Sequence, residues 1–135
     1  MRKVVLLLVI SLSLSICGCN EDDNTVTAEI VGTVEFGRGD CMPDLAQREY
    51  SKYNGRIYFV VKEDWDNLGT DGYDLLKNRS VNVRVKQGKL SAELREGTYL
   101  VMPEEIYVYS EENTITIKSN EVINRDFKFF MCTSY

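Results

Sequence analysis

The chain of 135 residues has no histidine, only 2 prolines, one tryptophan, and fewer basic residues (16) than acidic ones (21). Without imidazole there is no Ser-His-Asp or Cys-His nucleophile system, no His-ligated zinc or haem, and no imidazole pH switch. A formal net charge of −5 argues against nucleic acid as partner, because phosphate binding draws on a basic excess. No paired carboxylates or Ser–Lys pair stand in a recognisable catalytic motif, so the sequence reads as a non-enzyme with no cofactor. The length suits a single folded domain.

What is present begins with an address. Arg2 and Lys3 precede an apolar stretch, Val4 to Ile16, interrupted only by Ser11, Ser13 and Ser15. It falls short of the roughly 20 apolar residues that span a bilayer and fits a secretory signal. Its end, Ile16-Cys17-Gly18-Cys19, resembles the bacterial lipoprotein cleavage box: aliphatic, small, small, then Cys. That resemblance implies removal of residues 1–18 and lipidation of Cys19, by diacylglycerol on the thiol and an acyl chain such as palmitate on the new α-amino group. Several acyl chains anchor firmly where one is marginal. The other reading is an ordinary signal peptide with Cys19 as a structural thiol. Residues 19–25 then form an acidic tether. Asn20-Glu21-Asp22-Asp23-Asn24 also resembles the surface-export signal of some Gram-negative lipoproteins. The expected location is therefore the outer membrane, facing out, with the periplasmic face as the alternative. Losing the signal removes two basic residues and leaves the mature chain more acidic still.

From residue 26 to 135 the pattern has a period of two. Val26, Ala28, Ile30, Gly32, Val34 and Phe36 alternate with Thr27, Glu29, Val31, Thr33 and Glu35, one face apolar and the other mostly polar, as in a half-buried strand. Arg56 to Lys62 is apolar on both faces and reads as a central strand. Val81 to Lys86 and Lys89 to Leu94 flank Gln87-Gly88, the mark of a hairpin. Thr98 to Met102, ended by Pro103, then Ile106 to Tyr109, Thr114 to Lys118 and Val122 to Met131 complete the set. The fold expected is all-β: an antiparallel β-sandwich of seven to eight strands with one short helix in a loop, near Gly72 to Asn78 with Asp71 as N-cap. Two long connections, Gly37 to Gly55 and Asp64 to Ser80, are where function is to be sought first.

Of the four cysteines, Cys41 and Cys132 remain after processing. An even pair in an exported domain favours a disulfide. The thiols meet if the first and last strands run side by side in parallel, or face each other across the sandwich. Two free thiols in a reducing niche are the alternative. Two thiolates without His leave a metal ligand set incomplete, so no metal is expected.

The run Gly88 to Val101, with its Gly turn, alternating strand, Gly loop, then Tyr and an apolar strand, resembles the signature of carboxypeptidase-regulatory-like domains, which group with transthyretin-like and collagen-adhesin B-type sandwiches. Ile30-Val31-Gly32-Thr33-Val34 fits their first strand. The resemblance implies a seven- or eight-stranded sandwich without catalytic machinery, used as a stalk, spacer or interaction module. The isopeptide cross-link of some adhesin relatives needs a Lys on the first strand, and residues 24–37 contain none.

Three features hint at ligands. Arg38-Gly39-Asp40 matches the tripeptide integrins read, which needs a projecting loop; otherwise it is a glycine-rich turn leaving a strand. Asp64, Asp66, Asp71 and Asp74 supply hard oxygen donors, but Leu68 and Leu75 occupy positions where a calcium loop needs oxygen ligands. Trp65, Tyr107 and Tyr109 are the candidate ligand-binding aromatics, for stacking on sugar faces; otherwise such rings pack at sheet rims or under loops. The partners expected are the membrane, through the lipid, and a protein or glycan at the cell surface.

Overall fold

A computed structural model describes residues 27–41, 45–106 and 110–134. Its spine is β1 (Thr27–Asp40), 14 residues long. Ala28, Ile30 and Val34 are buried while Thr27, Glu29 and Thr33 are exposed, so the two-residue alternation sets its inner face. β2 (Ser51–Lys52) and, further on in the chain, β5 (Lys89–Arg95) pair with β1 antiparallel. β8 (Val122–Asn124) and β9 (Phe127–Ser134) pair with it in parallel, from Glu29↔Val122 to Asp40↔Ser134. This sheet is therefore mixed: the sandwich is antiparallel except where the last strands run beside the first in parallel. The expected strand from Val122 to Met131 is divided at Arg125-Asp126. There the Thr33 N–H donates to Asp126 Oδ1 at 2.7 Å, so a side-chain oxygen replaces a backbone carbonyl in the ladder.

The second sheet is antiparallel throughout, in the order β4-β3-β6-β7. Its strands are β3 (Gly55–Val61), β4 (Val81–Val85), β6 (Gly97–Pro103) and β7 (Thr114–Ile117). Ile57, Phe59, Tyr99 and Val101 point into the core shared with the first sheet, against Ile30, Val34, Leu94 and Phe129. Tyr58, Val60, Leu100 and Met102 form a second cluster on the opposite face with Trp65, Tyr73 and Leu76. Both faces of this sheet are thus covered, which is why Arg56 to Lys62 carries apolar residues at consecutive positions. Each fully buried aliphatic or aromatic side chain contributes on the order of 1.5–3 kcal/mol.

The outer cover is helical. Two helices of seven residues stand where one was expected: α1 (Lys62–Leu68) and α2 (Tyr73–Arg79), joined through a 3-10 turn at Thr70–Gly72. Lys62 opens α1 instead of closing the strand, and its ammonium pairs with Asp66 one turn on. Gly72, not Asp71, holds the N-cap position of α2, without a side-chain cap. Helices this short are marginal alone; packing of Trp65, Tyr73 and Leu76 on the sheet holds them.

The turn at Gln87 (φ 53°) and Gly88 (φ 71°) has the two positive φ values of a primed turn. It does not close a hairpin within one sheet. β4 pairs with β3, and β5 with β1, with one isolated bridge, Lys86↔Lys89, between them. The turn is a corner that carries the chain from one sheet to the other. It is docked on the spine: Val34 N–H donates to the Gly88 carbonyl at 2.8 Å, and Gly88 N–H to the Tyr53 carbonyl at 2.8 Å. The step from β5 to β6 crosses between sheets in the same way. Of the expected strand Ile106 to Tyr109, Ile106 lies in irregular structure and residues 107–109 lie outside the described residues.

Candidate functional site

Because β9 runs parallel to β1, both strands end at the same pole of the sandwich. Gly39 stands opposite Cys132, and Cys41 follows one residue after β1. A disulfide joins Cys41 to Cys132, with their Cα atoms 5.2 Å apart. Of the two arrangements the sequence allowed for this pair, the side-by-side parallel one is realised.

Residues 45–50, within the long connection that the sequence marked for attention, run across the outer face of the first sheet. A short 3-10 turn at Leu45–Gln47 leads to Arg48 and Tyr50. Gly37 of β1 lies beneath this segment. A Cβ there would collide with the Glu49 carbonyl and come within 2.7 Å of the Phe130 ring, so the close crossing requires glycine.

On β9, Phe127 and Phe129 point inward, and by alternation Lys128 and Phe130 point out to meet the returning segment. The Arg48 guanidinium lies over the Phe130 ring, 4.4 Å from its centroid, and its Nη2 donates to Cys41 Sγ at 3.6 Å. Tyr50 meets Phe130 edge-on at 5.8 Å. Lys128 Nζ lies 5.4 Å from the Tyr50 centroid and 3.1 Å from Glu35 Oε2. Two rings thus stand between two cations, in the order Arg48, Phe130, Tyr50, Lys128. Such contacts contribute about 0.5–2 kcal/mol each, depending on solvent exposure.

Two clefts flank this stack, and Arg48 and Phe130 line both. One, about 270 Å³, is bounded by Arg38, Asp40, Gln47 and Glu49. The other, about 450 Å³, is bounded by Tyr50, Ser110, Glu112, Asn113 and Lys128.

The residues singled out from sequence fall as follows. Arg38-Gly39-Asp40 lies within β1, paired with Met131, Cys132 and Ser134 across a register irregularity; it is a strand segment, not a projecting loop. Trp65 is 8 % exposed and belongs to the cluster beneath α1 and α2, the packing role that aromatic residues commonly take. Tyr107, Tyr109 and Cys19 lie outside the described residues. Among the described residues no group of three or more Cys, Asp or Glu side chains is placed to hold a metal ion. Arg48 and Tyr50 carried no motif, and only their position in the long Gly37 to Gly55 connection pointed toward them.

Among the described residues three titratable groups depart from their ordinary values. Burial, then the hydrogen bond to Glu105 Oε2 at 2.7 Å, pushes the Tyr53 phenol well above the usual tyrosine range. Burial also raises Tyr99. Hydrogen bonds from the Thr33 hydroxyl and N–H hold Asp126 below the usual aspartate range. None of the three lines the two clefts.

No family model matches this chain, and no curated protein or solved structure is significantly similar to it.

Proposed function

We propose that this protein is a lipid-anchored cell-surface β-sandwich that acts as a non-enzymatic structural or interaction module. The observation that carries the reading is the direction of β1. It starts at Thr27, where the acidic tether behind Cys19 ends, and extends 14 residues, roughly 40 Å at about 3.3 Å per residue, to the disulfide pole. A domain tethered at the first end presents the second one outward, and the cation–aromatic stack lies toward that second end, over Glu35 to Gly37 of β1. The resemblance of Gly88 to Val101 to carboxypeptidase-regulatory-like and transthyretin-like domains fits the same role, as does the lack of imidazole. An acidic mature chain suits a domain held off an anionic membrane rather than lying on it.

The experiment is metabolic labelling of the full chain with an alkyne palmitate analogue in a Gram-negative host, with biotinylation of intact cells. Label on the wild type, its loss in Cys19→Ser, and biotinylation without permeabilisation are the expected results. Absence of label overturns the anchor. Biotinylation only after permeabilisation moves the domain to the periplasmic face.

A second reading, a carbohydrate-binding accessory lipoprotein, is favoured by one specific observation: Tyr50 and Phe130 are held toward the distal pole beside polar side chains. Trp65, spent on packing, has no part in it. A glycan array of the full chain separates the two readings. Binding to no glycan removes the second and leaves the first.

A further inference from the structure

We infer that the 450 Å³ cleft beside the cation–aromatic stack recognises an acidic saccharide, with Arg48 receiving the sugar carboxylate and Tyr50 with Phe130 forming the ring-facing wall; this rests on the carbohydrate reading above and names its ligand class.

Arg48 is the key. Its guanidinium is fixed on two sides, by the Phe130 face at 4.4 Å and by the Cys41 sulfur at 3.6 Å. Neither neighbour neutralises it, since a thioether-like disulfide sulfur is a weak acceptor and a ring face carries no net charge. Among the described residues no carboxylate forms an ion pair with it. A planar guanidinium that is oriented in advance but left without an anion is suited to bidentate capture of a carboxylate.

The rest of the cleft agrees with a sugar acid. A volume of about 450 Å³ lies within the range of small-molecule sites and suits one or two pyranose rings. Lys128 adds a second positive charge, shared with Glu35 at 3.1 Å. Glu112 is the single acidic residue among the lining side chains. In a chain of net charge −5, this balance runs against the overall composition. Ser110 and Asn113 also line the cleft and bring a hydroxyl and an amide, which can serve sugar hydroxyls as donor or acceptor. The disulfide contributes by fixing the sulfur against which Arg48 is braced, which limits the ordering cost at binding.

The test is calorimetric titration of the detergent-solubilised full chain with uronate and sialyl oligosaccharides, their methyl esters, and sulfated and neutral counterparts. Acidic saccharides are expected to bind at least tenfold more tightly than the methyl esters. Arg48→Lys, which keeps the charge but loses the planar fork, is expected to weaken binding about tenfold or more. Lys128→Gln is expected to weaken it a few-fold, with melting temperature as the check that each variant is folded. Equal affinity for acid and ester, tighter binding of the sulfated series, or undiminished binding by folded Arg48→Lys overturns the carboxylate site while the carbohydrate reading survives. Binding of no saccharide of any series overturns both.

Discussion

The Cα atoms of Cys41 and Cys132 lie 5.2 Å apart at the common end of two parallel strands. The bridge spans a sequence separation of 91 residues and so encloses most of the folded domain. In the chain-entropy account, closing a loop of that size stabilises by about 4–5 kcal/mol. The double variant Cys41→Ser/Cys132→Ser, or treatment with dithiothreitol, should therefore lower the urea midpoint by a corresponding amount. An unchanged midpoint would show that the unfolded chain gains little freedom from reduction.

Gly37→Ala should cost about 1–3 kcal/mol, the usual range for overpacking, because the new methyl meets the Glu49 carbonyl and the Phe130 ring. The segment carrying Arg48 and Tyr50 must lift, so the variant should also weaken any ligand bound against Phe130. Thermal denaturation and titration of the same preparation check both effects. A fully stable variant with intact binding would mean that the crossing has slack.

Trp65→Ala should destabilise by about 3–5 kcal/mol, as for other buried aromatics, because it uncovers the outer face of the second sheet. As the one tryptophan, Trp65 reports on the helical cover. Its emission should be blue-shifted in the native state, move red on unfolding, and stay constant when saccharides are added. A saccharide-dependent change in emission would place Trp65 in or next to a ligand site.

Stability should fall on the alkaline side. Tyr53 and Tyr99 have folded pKa values raised above the ordinary 10.0, so the fold prefers their protonated forms. Their contribution is complete below about pH 10 and is lost as the pH rises through the folded values. Tyr53→Phe should flatten that alkaline limb, at a cost near 1–2 kcal/mol at neutral pH from the lost hydrogen bonds to Glu105 and the Arg56 carbonyl. Urea midpoints from pH 8 to 11 measure it, and parallel limbs in both proteins would remove Tyr53 as the cause.

The acid side carries the opposite sign. Asp126 is held below its ordinary 3.8 by the Thr33 hydroxyl and N–H. What it adds is present above the ordinary aspartate range and is lost as the pH falls through the folded value. Asp126→Asn should remove that part of the acid dependence. Protection of the Thr33 amide, taken relative to its intrinsic exchange rate at each pH, should also fall in the wild type as Asp126 is protonated; protection independent of acid would contradict the role of the side chain in the ladder.

What could be read along the chain was each residue's immediate alternation. Ala28, Ile30 and Val34 on one face, Leu90, Ala92 and Leu94 on another, and the double-faced run at Ile57 to Val60 all declare strands, because the two-residue period is a local property. Strand partners are not local. Gln87-Gly88 has the two positive φ values of a hairpin turn, yet the strands it joins go to different sheets. Asp126 looks like one more polar residue until Thr33, 93 positions away, is seen to donate to it.

The candidate site divides in the same way. Composition and motif alone, with no histidine, a lipoprotein-like box and an even cysteine pair, bound what chemistry is available, because those constraints depend only on which groups exist. The stack of Arg48, Phe130, Tyr50 and Lys128 joins two stretches some eighty positions apart in the sequence. Parallel pairing of β9 with β1, and the reversal of the chain over Gly37, bring them together. Only the tertiary structure decides that contact, since the free energy holding those cations over those rings comes from the whole sandwich and not from either segment.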